Sequence, residues 1–306
     1  MSLNIAIVTG ANGFIGSSLT KKLLEKGVRV FGLDLPDCNG HLPLGDNNFT
    51  FVPSDDIKAA ERILSKDNLS QSVLFHLGWI GKAGPLRADW RVQLSNVNTA
   101  LEYYEMACRL GVRRFICAGT IGEKMLSVES CNHIKSQNIL YVNAKLCLHR
   151  MLEAISTEGC RVIWALLGNM YGCGVSGGSL IDYALTKVLK GENAVFGPGL
   201  QPYDFVNVDD AIMGLAKLAL ADDLNLSEYY IGSGKPRALK DWLLELGEIA
   251  GRPDLIRIGG RADDGTRFKE EWFSTAALTS ETGYKPTIPF GDGVRANISY
   301  LKGALK

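Results

Sequence analysis

Asn4-Ile5-Ala6-Ile7-Val8-Thr9-Gly10-Ala11-Asn12-Gly13-Phe14-Ile15-Gly16 is an apolar run that breaks at a glycine-rich turn. It leads directly into Ser17-Ser-Leu-Thr-Lys-Lys-Leu-Leu-Glu-Lys26, which has helical periodicity and is closed by Gly27. A buried strand, a glycine turn and a helix in that order open a parallel α/β sheet that holds a dinucleotide. The three glycines have separate tasks. Gly10 permits the tight turn off the strand, Gly13 lets backbone N–H groups approach a pyrophosphate, and Gly16 lets the helix pack close to the sheet. Asn12, Phe14 and Ile15 lie on the same turn and complete the expected cofactor contact, and the helix N-terminus adds a partial positive charge toward the phosphates.

The next strand, Val28-Arg-Val-Phe-Gly-Leu-Asp34, ends in an acid 18 residues after Gly16, where a carboxylate meets the adenosine-ribose hydroxyls. Asp34 would repel a 2′-phosphate. Leu35, Pro36 and Asp37 follow it with no Arg or Lys among them, so the expected cofactor is NAD. Strand-like runs recur at Phe49–Val52, Val73–Leu77, Arg114–Ala118 and Arg161–Leu167, with helical periodicity at Ser95–Leu110 and Tyr141–Thr157. This alternation predicts a doubly wound parallel (Rossmann) sheet with right-handed crossovers. After about Gly168 the rhythm changes, and Gly and Pro become denser through Gly172–Gly178 and Gly197–Pro202. The expected division is a Rossmann domain over 1–170 with a return segment near 205–232, and a smaller substrate-binding lobe from 171–204 and 233–306.

Lys plus Arg and Asp plus Glu are balanced at 33 each in 306 residues, so no global attraction to nucleic acid or an anionic membrane is expected. Seven scattered cysteines, Cys38, Cys108, Cys117, Cys131, Cys147, Cys160 and Cys173, include no C-x-x-C pair. That is the usage of a reducing cytoplasm, with neither a disulfide framework nor a metal site. His76 lies inside the apolar run Val73-Leu-Phe-His-Leu77, the setting of a structural histidine. The opening apolar run is too short for a membrane span, lacks the basic segment and cleavage site of a signal peptide, and shows no targeting signal.

Tyr141-Val-Asn-Ala-Lys145 begins a helix and sets a phenol and an ammonium one turn apart on one face. A nearby cation favours phenolate, so Lys145 is expected to bring Tyr141 toward working pH as an acid/base. Tyr183-Ala-Leu-Thr-Lys187 has the same spacing. Position separates them: Tyr141 follows by 21 residues Thr120, which ends the strand Arg114–Thr120 at the sheet's carboxyl edge, where open α/β sheets bind ligands. Tyr183 falls in the second lobe, where a surface helix with a snorkelling Lys187 is expected.

Thr9-Gly-Ala-Asn-Gly-Phe-Ile-Gly16, Asp34, Asp56-Ile57, Phe75-His-Leu-Gly78, Asn96-Val-Asn98, Thr120, Tyr141 with Lys145, Gly168-Asn-Met-Tyr-Gly172, Asp204-Phe-Val-Asn-Val-Asp-Asp210 and Gly283-Tyr-Lys-Pro286 follow in order. Over nearly the whole chain this set resembles the extended short-chain dehydrogenases/reductases, and within them the NAD-dependent nucleotide-sugar epimerase/dehydratase branch. The resemblance implies that Asp56 and Ile57 contact adenine, that Leu77, Gly78, Trp79 and Asn96 line the cofactor, and that Tyr141 and Lys145 meet the nicotinamide ribose. It implies Thr120 and Tyr141 at the substrate hydroxyl, Asn169, Tyr203 and Arg261 along the substrate, and a homodimer through the helices at Ser95–Leu110 and Tyr141–Thr157.

The chain also departs from that pattern. Tyr203 and Leu166 stand where arginines are common, which weakens the expected diphosphate clamp, while Arg261 remains and Arg267 or Lys269 could assist it. His76-Leu-Gly-Trp79 replaces His-Leu-Ala-Ala and brings a bulky ring toward the pocket. Ile121-Gly122 follow the threonine where dehydratases carry Asp-Glu, so no acid and base for eliminating water are evident. The expected activity is nucleotide-sugar epimerisation at C4 through a 4-keto intermediate. The alternatives are a keto-sugar or other carbonyl reductase using NAD(P)H and a non-catalytic dinucleotide sensor.

Overall fold

The computed structural model describes residues 3–38, 40–126, 138–174 and 179–304. Cys131 and the end of the glycine-dense run, 175–178, lie outside the described residues.

The first half alternates strands and helices: β1 (Ile5–Thr9), α1 (Phe14–Glu25), β2 (Arg29–Asp34), β3 (Phe49–Pro53), α2 (Ile57–Leu64), β4 (Val73–His76), α3 (Trp90–Arg109), β5 (Arg114–Thr120), α4 (Glu123–Leu126), α5 (Asn138–Ile155) and β6 (Arg161–Leu167). These six strands and the strand Glu228–Ile231 form one seven-stranded sheet. Its order is Glu228–Ile231, β6, β5, β4, β1, β2, β3, and every pairing is parallel. The order reverses at β1, which lies between β4 and β2. That switch point opens a crevice at the carboxyl ends of the strands.

Both faces of the sheet are buried, and the period-two alternation of each strand divides its side chains between them. Ala6, Val8, Ile116, Ala118, Ile163 and Ala165 face the core beneath α1 and the helix Val208–Leu220. Ile7, Phe115, Cys117, Val162, Trp164 and Leu166 face the core beneath α2, α3 and α5. Strands apolar on both faces are what helical crossovers on two sides require.

α5 begins at Asn138 and ends at Ile155 rather than spanning Tyr141–Thr157, and two further boundaries differ from the sequence reading for a visible cause. α3 starts at Trp90 rather than Ser95 because the Asp89 carboxylate accepts the Arg91 and Val92 N–H groups and caps the helix there. β4 stops at His76, because the Leu77 and Gly78 N–H groups turn to the Thr9 hydroxyl. Beyond β6, the helices Leu180–Leu189 and Leu239–Ile249 pack round a third core holding Trp242, Leu243, Phe196, Phe205 and Val294. Between them the chain returns to the sheet through Val208–Leu220 and Glu228–Ile231. Asp204, fully buried, anchors this return by accepting hydrogen bonds from Tyr230 OH, the Ser233 hydroxyl and the Ser233 and Gly234 N–H groups.

Candidate active site

The glycine turn is built on close approach. Gly10 has φ +66°, and a Cβ there would sit 2.7 Å from the Gly78 Cα. A Cβ on Gly16 would lie 2.1 Å from the Gly10 carbonyl oxygen, so α1 can start this near β1 only with glycine. Gly13 is the least demanding: its N–H donates to the Gly10 carbonyl at 3.0 Å, and a Cβ would meet that oxygen at 3.1 Å. This cradle fits a dinucleotide pyrophosphate, the group for which its bare backbone leaves room. Asp34, at the end of β2, accepts the Asn12 N–H at 2.8 Å and the Leu35 N–H at 2.9 Å. Its carboxylate therefore sits beside the cradle, where ribose hydroxyls would meet it. The Asn12 side chain accepts the His41 N–H at 2.7 Å, while Phe14 and Ile15 open α1 and pack against the first core.

Across the switch point, Thr9 ties β1 to the chain leaving β4. Its hydroxyl accepts the Leu77 and Gly78 N–H groups at 3.2 Å and lies 3.0 Å from His76 Nδ1. Burial pushes His76 down to about 3, with the Lys145 charge a smaller cause, so the ring is neutral. It stacks near Phe115 and Tyr103.

The other expected cofactor residues have these partners. Asn96 is 8% exposed, and both ends of its amide engage the Ile80 backbone, at 2.9 and 2.8 Å. It therefore positions the loop after β4. Asp56 is the N-cap of α2 and accepts the Lys58 and Ala59 N–H groups, with Ile57 as the first helical residue. The Trp79 indole N–H donates to Gln93 at 2.9 Å, and its ring meets Tyr141 edge-on at 6.0 Å.

Thr120, Tyr141 and Lys145 converge at the ends of β5 and α5. Lys145 is 3% exposed; its ammonium donates to the Ala118 carbonyl at 2.7 Å and lies 3.7 Å from the Trp79 ring. Burial lowers its pKa, against Cys117 and Glu123. The expectation that Lys145 brings Tyr141 down does not describe this arrangement. Burial pushes Tyr141 up to about 12, and the cation opposing that rise is Arg87, whose guanidinium lies 3.9 Å over the Tyr141 ring. Arg87 belongs to the short 3₁₀ turn Pro85–Ala88. Sequence reasoning passed it over because no local motif marks a residue that meets its partner 54 positions away.

Glu123 is the nearest acid after Thr120, yet it faces away from the crevice. Its carboxylate is 3% exposed, accepts the Thr120 N–H at 2.8 Å and the Trp164 indole N–H at 3.0 Å, and lies 3.3 Å from His149 Nδ1. It fixes the end of β5 and supplies no acid for eliminating water.

Above these groups opens a cleft of about 830 Å³ whose wall includes Thr120, Asn169, Tyr203, Tyr183, Lys187 and Arg261, with Arg87. Asn169 donates to the Asp204 carbonyl at 3.2 Å, and burial raises the pKa of Tyr203. Arg261 donates to the Tyr183 hydroxyl at 2.9 Å. Tyr183 is thus part of the cleft wall and not of a plain surface helix. Lys187 pairs with Glu192 at 2.5 Å, and Arg267 with Asp263 at 2.7 Å. Leu166, one of the two positions read as a lost phosphate arginine, is 1% exposed in the sheet core, so an anion clamp does not run through it.

A glycine cradle at the switch point of a Rossmann sheet, with Thr120, Tyr141 and Lys145 on the same rim, defines a nicotinamide-dependent enzyme of the extended short-chain dehydrogenase/reductase class. The chain belongs to the NAD dependent epimerase/dehydratase family, whose model matches residues 6–232. It is 25% identical over 244 residues to dTDP-6-deoxy-L-talose 4-dehydrogenase (NAD(+)) of Aggregatibacter actinomycetemcomitans, covering 76% of this chain and 86% of that one. It is 23% identical to UDP-glucuronic acid decarboxylase 1 of Xenopus tropicalis, over 98% of this chain and 72% of the relative. The fold matches the crystal structure of UDP-glucose 4-epimerase from Thermotoga maritima with UDP-glucose. The TM-score is 0.79 and the identity 23%, and the match covers 99% of this chain and 100% of that one. Among the described residues, no helix is long and apolar enough to cross a membrane, and no group of three His, Cys, Asp or Glu side chains is placed to hold a metal ion.

Proposed function

We propose that the protein epimerises a nucleotide-linked sugar at C4 through a 4-keto intermediate, keeping its NAD bound. The observation that carries this reading is the cleft itself. It spans from Thr120 at the end of β5, past Arg87 over Tyr141, to Arg261 on the second lobe, and its volume of about 830 Å³ is that of a site for a small-molecule substrate. In this reading Gly10, Gly13 and Gly16 cradle the pyrophosphate, Asp34 holds the adenosine ribose, and Lys145 with Tyr141 holds the nicotinamide ribose. NAD bound there supplies a hydride acceptor and donor at the sugar carbon. Tyr141 takes the hydroxyl proton and returns it, and Thr120 orients that oxygen. Arg261 leaves Tyr183 for the diphosphate. Residues 171–204 and 233–306 form the substrate side. The inward turn of Glu123 argues against dehydration.

A homodimer is part of the same reading. Trp90 and Leu94 on α3 and Met151 and Ile155 on α5 are large apolar side chains left 44–55% exposed on two helices that pack together. Light scattering should give twice the chain mass, and Leu94→Glu should return it to the monomer value.

The activity is tested by incubating the purified protein with uridine- and thymidine-diphosphate hexoses. The expected result is C4 epimer formation with no net change in nicotinamide absorbance. Stoichiometric consumption of NADH with a keto-sugar would replace the epimerase with a reductase.

A further inference from the structure

We infer that Arg87 receives a second anionic group of the substrate, a carboxylate carried on the sugar, so that the enzyme prefers nucleotide-linked uronic acids to neutral hexoses. This rests on the nucleotide-sugar reading above and narrows it.

Arg87 is drawn into the cleft wall and laid over the Tyr141 ring, yet among the described residues no carboxylate is hydrogen-bonded or ion-paired to it. One terminal nitrogen donates to the Lys82 carbonyl, and the Nε is buried with no hydrogen-bond partner. Burial lowers its pKa, which only the phenols of Tyr141 and Tyr203 oppose. A guanidinium half-withdrawn from water against a ring and one carbonyl still gains from an anion partner. The second arginine lining the cleft, Arg261, already donates to the Tyr183 hydroxyl on the far lobe.

Position then selects the anion. Arg261 lies on the second lobe, where the diphosphate is proposed, whereas Arg87 touches the ring of the proposed acid/base and therefore borders the reacting sugar. An anion there belongs to the sugar ring and not to the nucleotide. A guanidinium presents two parallel N–H donors that match a carboxylate edge-on, and its 3.9 Å approach to the Tyr141 ring holds that fork beside the proposed acid/base. The Tyr203 ring, on the same wall, is within the reach of the Arg87 charge and of Asp264. An arginine in place of Tyr203 would have added a competing cation; the tyrosine leaves Arg87 as the anion receptor at this end.

The test is calorimetric titration of the NAD-loaded protein with matched pairs, UDP-glucuronate against UDP-glucose and dTDP-glucuronate against dTDP-glucose. Wild type, Arg87→Met and Arg87→Lys are compared. The expected result is wild-type preference for the uronate by about ten-fold or more, the usual worth of one charge-assisted pair. Arg87→Met should abolish that preference, and Arg87→Lys, which keeps the charge without the fork, should retain part of it. The lysine variant also answers the question if the methionine variant fails to fold. Equal wild-type affinity for both members of a pair overturns the proposal while leaving the nucleotide-sugar reading intact. So does an equal loss of both in Arg87→Met, and an accompanying alkaline shift in the pH–rate profile would confine Arg87 to tuning Tyr141. Binding of NAD but of no nucleotide sugar overturns the parent reading instead.

Discussion

Two helices of this protein carry the same five-residue pattern, Tyr141 to Lys145 and Tyr183 to Lys187, and their surroundings make them different objects. Lys145 is buried, hydrogen-bonded to the Ala118 carbonyl at the end of β5 and covered by the Trp79 ring. Lys187 is 37% exposed and pairs with Glu192. The Tyr141 phenol lies beneath a guanidinium, with Thr120 at the neighbouring strand end. The Tyr183 hydroxyl accepts from Arg261 and from the Val195 N–H, so it is occupied as a strut in the lobe wall. A pattern of spacing places two side chains on one face. The strand end it faces determines whether they can do chemistry.

The comparison breaks most directly at Tyr141. Tyr141→Phe keeps the ring under Arg87 and removes only the ionisable oxygen, so turnover should fall by roughly two to four orders of magnitude while NAD affinity and melting temperature hold. Near-wild-type turnover would remove the acid/base role. With the phenol pushed up to about 12 by burial, the protein without cofactor holds a neutral Tyr141 across ordinary buffers. Stability from that shift is fully present below a free tyrosine's pKa near 10 and is lost as pH climbs through 12. That value already includes the opposing Arg87 charge, so in the proposed reading the bound cofactor supplies the further lowering that catalysis needs.

A second, smaller loss is expected from Lys145→Met. It leaves the Ala118 carbonyl without its donor and strips the cation from Trp79, so NAD affinity should weaken about ten-fold or more and the rate should fall with it. Titration of NAD followed by indole fluorescence checks the first, and steady-state turnover the second. Unchanged NAD affinity would mean that Lys145 serves only the strand end.

How much of this was readable in the sequence depended on distance along the chain. The tasks of Gly10 and Gly16 were legible because each concerns a turn a few residues long, whereas the close approach of Gly10 to Gly78, far along the chain, was not. The strand alternation that divides the two cores was legible for the same reason. Arg87 over Tyr141, Tyr183 beneath Arg261 and Glu123 turned toward Trp164 and His149 were not, since each contact crosses 26 to 78 residues and depends on the packed sheet to bring it about. Asn96 and Asp56 carry backbone tasks that the motif did not announce: Asn96 holds the Ile80 backbone, and one Asp56 carboxylate oxygen caps α2. Position on a rim can be read from a motif, but whether the side chain is still free to meet a ligand cannot.

The smallest expected effect sharpens the comparison from the other helix. Tyr183→Phe removes one acceptor from Arg261 and one from the Val195 N–H while leaving its ring packed edge-on against Phe196 at 5.6 Å. Losing a hydrogen bond of this kind is worth about 1 kcal/mol, roughly a five-fold change in affinity. Because Arg261 is proposed to grip the diphosphate equally in ground and transition states, that change belongs in KM, with kcat within about two-fold of wild type. Its direction reports what Tyr183 does. If the phenol holds Arg261 ready for the diphosphate, KM rises. If it competes with the diphosphate for the guanidinium, freeing Arg261 lowers KM. Arg261→Ala should in either case raise KM much further, and in that background Tyr183→Phe should have no additional effect, since the two side chains act through one contact. A fall in kcat comparable to that of Tyr141→Phe would instead place the acid/base on the lobe helix and reverse the assignment of the two tyrosines.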